Sequence, residues 1–116
     1  MYVTENGAAY DDVPDAAGFV DDQDRLSFLD VHVRAMKDAI DDGVDLRGYL
    51  AWSLLDNFEW AWGYHQRFGL VRVDYGTQER IPKASAIWYA RLAATNTLGE
   101  DAATADVGKP GVVLSR

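Results

Sequence analysis

Two short stretches hold side chains whose types and spacing suit chemistry. Glu5 stands in Met1-Tyr2-Val3-Thr4-Glu5-Asn6-Gly7, and Asp56 and Glu59 are interleaved with rings in Trp52-Ser53-Leu54-Leu55-Asp56-Asn57-Phe58-Glu59-Trp60-Ala61-Trp62-Gly63-Tyr64. Three of the chain's 4 tryptophans fall between positions 52 and 62. An indole presents a flat apolar face and one N–H donor, so such rings build either a core or a site for a flat, partly polar ligand. Carboxylate and amide groups among them cost free energy when buried without partners. Sugars offer both halves of the match, C–H faces for the indoles and hydroxyls for the acids; a packed core with a polar rim is the alternative. Two acids flanking a bond are what glycosidic cleavage requires, and spacing alone pairs Glu5 as nucleophile with Glu59 as acid. The plainer reading of Glu5 is a capping carboxylate at the Asn6-Gly7 turn.

These residues need elements to hold them. Residues 1–5 read as a short strand stopped by Asn6-Gly7. Residues 7–21 form a long acidic loop without periodicity. A helix is expected from about Asp22, because Leu26, Leu29, Val33, Met36 and Ile40 recur at steps of three and four, with Phe28, Val31 and Ala35 widening the stripe. One of Asp21, Asp22 and Asp24 is its expected N-cap, and Gly43 its left-handed stop. Residues 46–54 read as a strand apolar on both faces, which favours a parallel sheet covered on both sides. Strand, helix and strand then make a βαβ unit, in which parallel strands end on one side and bring Glu5 and the aromatic segment to one cleft. Residues 68–75 read as a further strand or hairpin arm, and Pro82 opens a second helix with Ile87, Trp88, Arg91 and Leu92 on its buried side. Residues 99–116 read as a flexible tail. Two parallel strands with helices to one side leave strand edges unpaired and one face bare, so the chain reads as the end of something larger.

Composition narrows the classes. At 116 residues, 48% apolar and 26% charged, the chain is a globular domain's worth. A net charge of -8 argues against nucleic-acid and anionic-membrane partners. The absence of cysteine excludes disulfides and thiolate metal sites, and two distant histidines, His32 and His65, make no histidine metal site. No run of about 18 apolar residues and no leader-like N-terminus is present. A soluble, cytoplasmic protein without cofactor or metal is expected.

Beyond single residues, the motifs act together. Tyr2-Val3-Thr4-Glu5-Asn6-Gly7 resembles the nucleophile motif of glycoside hydrolase family 1, the β-glucosidases, and the stretch from Trp52 to Trp60 is similar to that family's second hallmark. Gly63-Tyr64, then Arg67-Phe68-Gly69-Leu70-Val71-Arg72-Val73-Asp74-Tyr75, and Arg80-Ile81-Pro82-Lys83 with Trp88-Tyr89 continue the resemblance in register over about residues 1–95. It implies an α/β fold: the last quarter of a (β/α)8 TIM barrel, seventh strand to eighth helix, occupying residues 1–98. It also revises the pairing above. Glu5 matches the family's nucleophile, Glu59 a glutamate that binds sugar hydroxyls, Trp52 the platform under the glycone, Trp60 a hydrogen-bond donor to it, and Phe68 an aromatic beside the glycone pocket. The implied activity is retaining hydrolysis of a β-glucoside or related oligosaccharide. The family's acid/base glutamate lies in an Asn-Glu-Pro motif that this sequence does not contain, so the chain alone is expected to be inactive.

The other candidates read as structural. His32 is a packing or hydrogen-bonding residue, Asp56 and Asn57 brace the loop after the second strand, and Trp88 is core. His65 faces either solvent or the mouth of the cleft; Trp62 and Tyr64 border the entrance or pack inside. The acidic loop is a solvated surface segment, with an aspartate metal site as the alternative. Two further roles remain open: a sugar-binding protein without catalysis, using Trp52, Trp60 and Glu59, and a fragment that docks on a partial barrel or self-associates through its strand edges.

Overall fold

The computed structural model describes residues 1–99, and the expected tail falls, from residue 100 on, outside them. The elements are β1 (Val3–Asn6), α1 (Gln23–Asp41), β2 (Tyr49–Ala51), a 3-10 turn (Trp60–Trp62), β3 (Val71–Val73), β4 (Arg80–Pro82) and α2 (Ala84–Thr95).

β1 and β2 pair in parallel, with Val3 opposite Tyr49 and Asn6 opposite Ala51, so the expected strand–helix–strand order is present. The Val3 N–H donates to the Gly48 carbonyl (2.9 Å) and the Trp52 N–H to that of Asn6 (2.8 Å). Past this last bond the two backbones nearly touch: a Cβ on Gly7 would lie 1.8 Å from the Trp52 carbonyl oxygen. Only glycine fits there.

α1 ends as expected. Gly43 adopts φ +94°; its N–H reaches the Ile40 carbonyl (3.0 Å) and the Val44 N–H that of Ala39 (2.9 Å), the paired bonds that satisfy a helix's last carbonyls. Its buried stripe is narrower than the periodicity suggests: Leu26, Leu29 and Val33 are buried, Ala35 is exposed, and Val31 and Ile40 are 61% and 42% exposed. α1 packs against α2. Leu26 and Ala84 form the centre of this contact, with Phe19 and Trp88 packed on it, so Trp88 does serve the core. Arg91, expected on the buried side of α2, is exposed.

The second strand is shorter than the apolar run 46–54. It spans three residues, because from Ser53 on the chain pairs elsewhere. The Ser53 N–H donates to the Phe68 carbonyl (3.2 Å), Leu70 to Ser53 (2.8 Å) and Val71 to Leu54 (2.9 Å). Of the expected strand 68–75, only Val71–Val73 is a strand; it pairs antiparallel with β4, as a hairpin arm would. β4 is not visible in the sequence pattern, and Pro82 closes it instead of opening α2, whose N-cap position is Lys83.

The hairpin turn is held by Asp74, whose Oδ1 accepts the N–H groups of Gly76 (2.8 Å) and Thr77 (2.9 Å). The Thr77 bond and then the Gly76 bond hold its carboxyl below the usual carboxylate range. Because the folded pKa is depressed, the stabilisation is complete above the unfolded value of about 3.9 and is lost as pH falls through the folded one. Asp74→Asn keeps an acceptor without the charge, so its urea midpoint should lie below that of the parent at pH 6, with the gap closing below about pH 4. A gap independent of pH would show that charge plays no part.

The acidic loop departs most from expectation. Asp12 and Asp22 are buried, not solvated. Asp22 occupies the N-cap position of α1 yet makes no cap bond to it. It caps α2 instead, accepting the Ser85 N–H at 2.8 Å and the Ser85 hydroxyl at 2.5 Å. Arg25 donates to both Asp12 oxygens (2.8 and 2.7 Å), to Asp22, and to the Arg67 carbonyl (2.7 Å). Lys83, fully buried, donates to Asp12 (2.5 Å), to Asp56 (3.1 Å) and to the Gly69 carbonyl. Burial alone would lower both cations' pKa values. For Arg25 the bonds and charges of Asp12 and then Asp22 outweigh it and raise the value. For Lys83 burial prevails, with Arg25's charge adding to it against the pull of Asp12 and Asp56.

Candidate active site

Glu5 lies on β1 one residue before its C-terminal end, and its side chain is exposed. The next residue carries the link to the aromatic segment, since the Asn6 carbonyl accepts the Trp52 N–H. Glu5 and Trp52, which is 39% exposed, therefore share the end of the parallel pair, as strand polarity predicts. A second bond locks the same end: the Tyr49 hydroxyl donates to Asn6 Oδ1 at 2.5 Å. Burial, with the Tyr89 phenol adding, pushes Tyr49 up to about 12, so it keeps its proton and the bond at neutral pH. The Tyr89 hydroxyl donates to the Tyr49 carbonyl (3.0 Å), tying the strand to α2.

Glu59, Trp60 and Phe68 come from the long excursion after β2. The Glu59 N–H donates to the Gly63 carbonyl (2.7 Å) and the Trp62 N–H to that of Glu59 (2.8 Å), closing a small loop around the 3-10 turn. Within it Trp60 takes φ +41° and is 84% exposed. A bulky residue in that region costs on the order of 1–3 kcal/mol, strain of the kind found where side-chain placement matters more than stability. Phe68 is half-buried, and its carbonyl takes the Ser53 N–H, which sets it beside the Trp52–Ser53 peptide. The backbone after it passes so close to the excursion that a Cβ on Gly69 would lie 2.2 Å from the Asp56 nitrogen.

Asp56 is the brace the sequence suggests. It is buried, accepts the Gly69 N–H (2.9 Å) and the Val73 N–H (3.4 Å), and pairs with Arg67 (2.5 Å) and Lys83. Asn57 donates to the Ser53 hydroxyl and the Leu55 carbonyl, both at 3.0 Å. His32 keeps to its helix, with Nδ1 2.7 Å from the Phe28 carbonyl and its ring 4.1 Å from that of Phe28. His65 is exposed. Trp62 and Tyr64 are 65% and 56% exposed among the described residues; the Tyr64 ring stands 4.7 Å from Tyr75 and 5.5 Å, edge-on, from Phe58. Arg25, Arg67 and Lys83, which hold the loops in place, escaped sequence reasoning because single basic residues carry no spacing signal. Among the described residues no group of three metal-ligating side chains is present, and no helix is long and apolar enough to cross a membrane.

Most of the chain matches known proteins. The glycosyl hydrolase family 1 model covers residues 1–98. The chain belongs to glycosyl hydrolase family 1. Among its relatives in the family, a 1,4-beta-D-glucan glucohydrolase of Thermotoga neapolitana is 55% identical over 98 residues, 84% of this chain and 22% of the relative. Beta-glucosidase A of Thermotoga maritima is 54% identical over the same shares. A solved family 1 β-glucosidase from Thermotoga maritima superimposes with a TM-score of 0.84 at 54% identity, covering 85% of this chain and 22% of that one. Another structure of the Thermotoga maritima β-glucosidase, in complex with deoxynojirimycin, superimposes at 0.83. These family 1 structures are TIM barrels. The chain spans about 22% of the length of the relatives it matches.

Proposed function

We propose that these residues supply the nucleophile and part of the glycone site of a retaining β-glycosidase of the β-glucosidase type. The observation that carries this reading is the exposed carboxylate of Glu5 at the C-terminal end of a parallel strand, joined through the Asn6–Trp52 bond to the aromatic segment. In it β1, α1, β2 and α2 are the seventh strand, seventh helix, eighth strand and eighth helix of a (β/α)8 barrel, and residues 1–98 are its C-terminal part.

Glu5 attacks the anomeric carbon as the bond to the leaving oxygen breaks, and a carboxylic acid from another part of the barrel gives that oxygen its proton. The same group, now a base, takes a proton from water, which cleaves the glycosyl ester and returns Glu5 as carboxylate. Two inversions give net retention, which requires the carboxyls about 5–5.5 Å apart. Trp52 stacks under the sugar ring, Glu59 accepts bonds from its hydroxyls, the Trp60 indole N–H donates to one, and Phe68 walls the pocket. General acid–base catalysis contributes roughly 10²–10⁴-fold, and no Asn-Glu-Pro occurs in the sequence, so the 116 residues by themselves do not turn over.

The test joins the chain, in one polypeptide, to the part of Thermotoga maritima beta-glucosidase A that precedes the matched segment. An aryl β-glucoside should be hydrolysed by the joined protein and not by the chain alone, with the sugar first appearing in the NMR spectrum as the β-anomer. Initial release of the α-anomer would overturn the retaining mechanism, and turnover by the chain alone would overturn the need for a carboxyl from another part of the barrel.

A further inference from the structure

Resting on that reading, we infer that Tyr49 is a positioning residue for the reaction: its hydroxyl, acting through Asn6, holds a bulge in β1 that aims Glu5 at the sugar.

The bulge is visible in the register. Val3 stands opposite Tyr49 and Asn6 opposite Ala51, so Thr4 and Glu5 together share the single position of Leu50. An extra residue of this kind bends its strand and re-aims a side chain, and such bulges recur beside active sites. In a regular strand successive side chains alternate between faces. Here Thr4 and Glu5 are both exposed while Val3 and Asn6 on either side are half-buried, so the alternation breaks at the nucleophile.

Backbone bonds hold each side of the bulge. The Val3 N–H reaches the Gly48 carbonyl (2.9 Å) before it, and the Asn6 carbonyl takes the Trp52 N–H (2.8 Å) after it. Neither bond spans Thr4 and Glu5. The Tyr49 side chain does: its Cα is level with Val3, and its hydroxyl donates to Asn6 Oδ1, on the far side, at 2.5 Å. A bond across the extra residue fixes how far the two strands are out of step. Register matters here because a slip of one residue turns a side chain to the opposite face. Tyr49 is itself well held. It lines a groove with Val33, Met36, Tyr89 and Leu92, and its carbonyl takes the Tyr89 hydroxyl (3.0 Å). With its pKa pushed up to about 12, the phenol keeps the proton it donates. Reacting atoms must stand about 3–3.5 Å apart, and a misplacement of about 1 Å costs roughly a hundredfold in rate. A hydroxyl that acts through Asn6 contacts no sugar, so its loss falls on the covalent step and spares binding.

The experiment places Tyr49→Phe, which removes the hydroxyl and keeps the ring, in the joined polypeptide. With an aryl β-glucoside kcat should fall at least about tenfold, whereas affinity for deoxynojirimycin should change by less than about twofold. A 2-deoxy-2-fluoro-β-glucoside with a dinitrophenolate leaving group isolates the attack by Glu5. The rate of glycosyl-ester formation, followed by mass spectrometry, should fall by the same factor as kcat. Asn6→Ala removes the acceptor with the Tyr49 ring left in its groove, and stands in if Tyr49→Phe folds poorly. It should lower both rates alike, and the double variant should be no slower than the slower single one. Tyr89→Phe removes a bond of the same kind from the same strand; it should lower the urea midpoint and leave kcat unchanged. Parental kcat in Tyr49→Phe and Asn6→Ala, a parallel fall in kcat and inhibitor affinity, additive losses, or an equal loss of kcat in Tyr89→Phe overturns positioning and leaves the glycosidase reading standing. A joined parent that is folded but forms no glycosyl ester overturns that reading, and the role of Tyr49 with it.

Discussion

Replacing Glu5 by Gln in the joined barrel should lower kcat for an aryl β-glucoside by at least about a thousandfold, equivalent to about 4 kcal/mol of barrier. The amide is nearly the same size and shape, so folding and sugar binding should persist while the covalent step is lost. KM, or the affinity for deoxynojirimycin, should change far less than kcat. Glu5→Ala adds a distinguishing result, because the shortened side chain leaves room for a small anion beside the anomeric carbon. Added azide should then restore part of the turnover with an activated aryl glucoside and give an inverted glycosyl azide. Glu59→Gln should behave differently, raising KM together with lowering kcat, because hydroxyl contacts act in ground and transition states alike. If Glu5→Gln retains near-parental kcat, the nucleophile is elsewhere.

Lys83→Met should destabilise the chain by about 3–5 kcal/mol, the cost of removing one partner from a buried ionic cluster. Against a typical domain stability of about 5–15 kcal/mol that is a large fraction. The methionine keeps the apolar stem but leaves the Gly69 carbonyl without this donor and removes one cation from both Asp12 and Asp56. Those carboxylates then depend on Arg25 and Arg67. Urea denaturation is the measurement, with Lys37→Met as control: Lys37 pairs with Asp41 across one turn of α1 in full solvent and should show no measurable change. Equal midpoints for Lys83→Met and the parent would mean that the cluster contributes no net stability.

Periodicity and punctuation identify the elements that govern the site. The three-and-four spacing of Leu26, Leu29 and Val33 marks α1, Gly43 its end, and Asn6-Gly7 the end of the first strand. These are local effects, decided by residues within a turn or two, and local effects are what a single sequence displays. The family follows as well, since several motifs in register over most of the chain match one profile over residues 1–98. The roles of Glu5, Trp52, Glu59, Trp60 and Phe68 rest on that resemblance and await the measurements above.

Tertiary structure decided the rest. The apolar run 46–54 says nothing about where β2 stops, because its pairing partner changes from β1 to the Phe68–Val71 backbone at Ser53. β4 exists only because Val71–Val73 offers it a ladder. Composition marks the acidic loop as solvent-facing, yet Asp12 is buried because Arg25, 13 positions on, and Lys83, 71 positions on, converge upon it. Asp22 caps a helix 63 positions away instead of its own. The sequence by itself determined the strand–helix–strand order, the family and the residue types at the strand ends. Which charges are buried, which strands pair and which face stays open depend on groups that meet only after folding, and the strength of such contacts is set by distance in space, to which spacing along the chain is no guide.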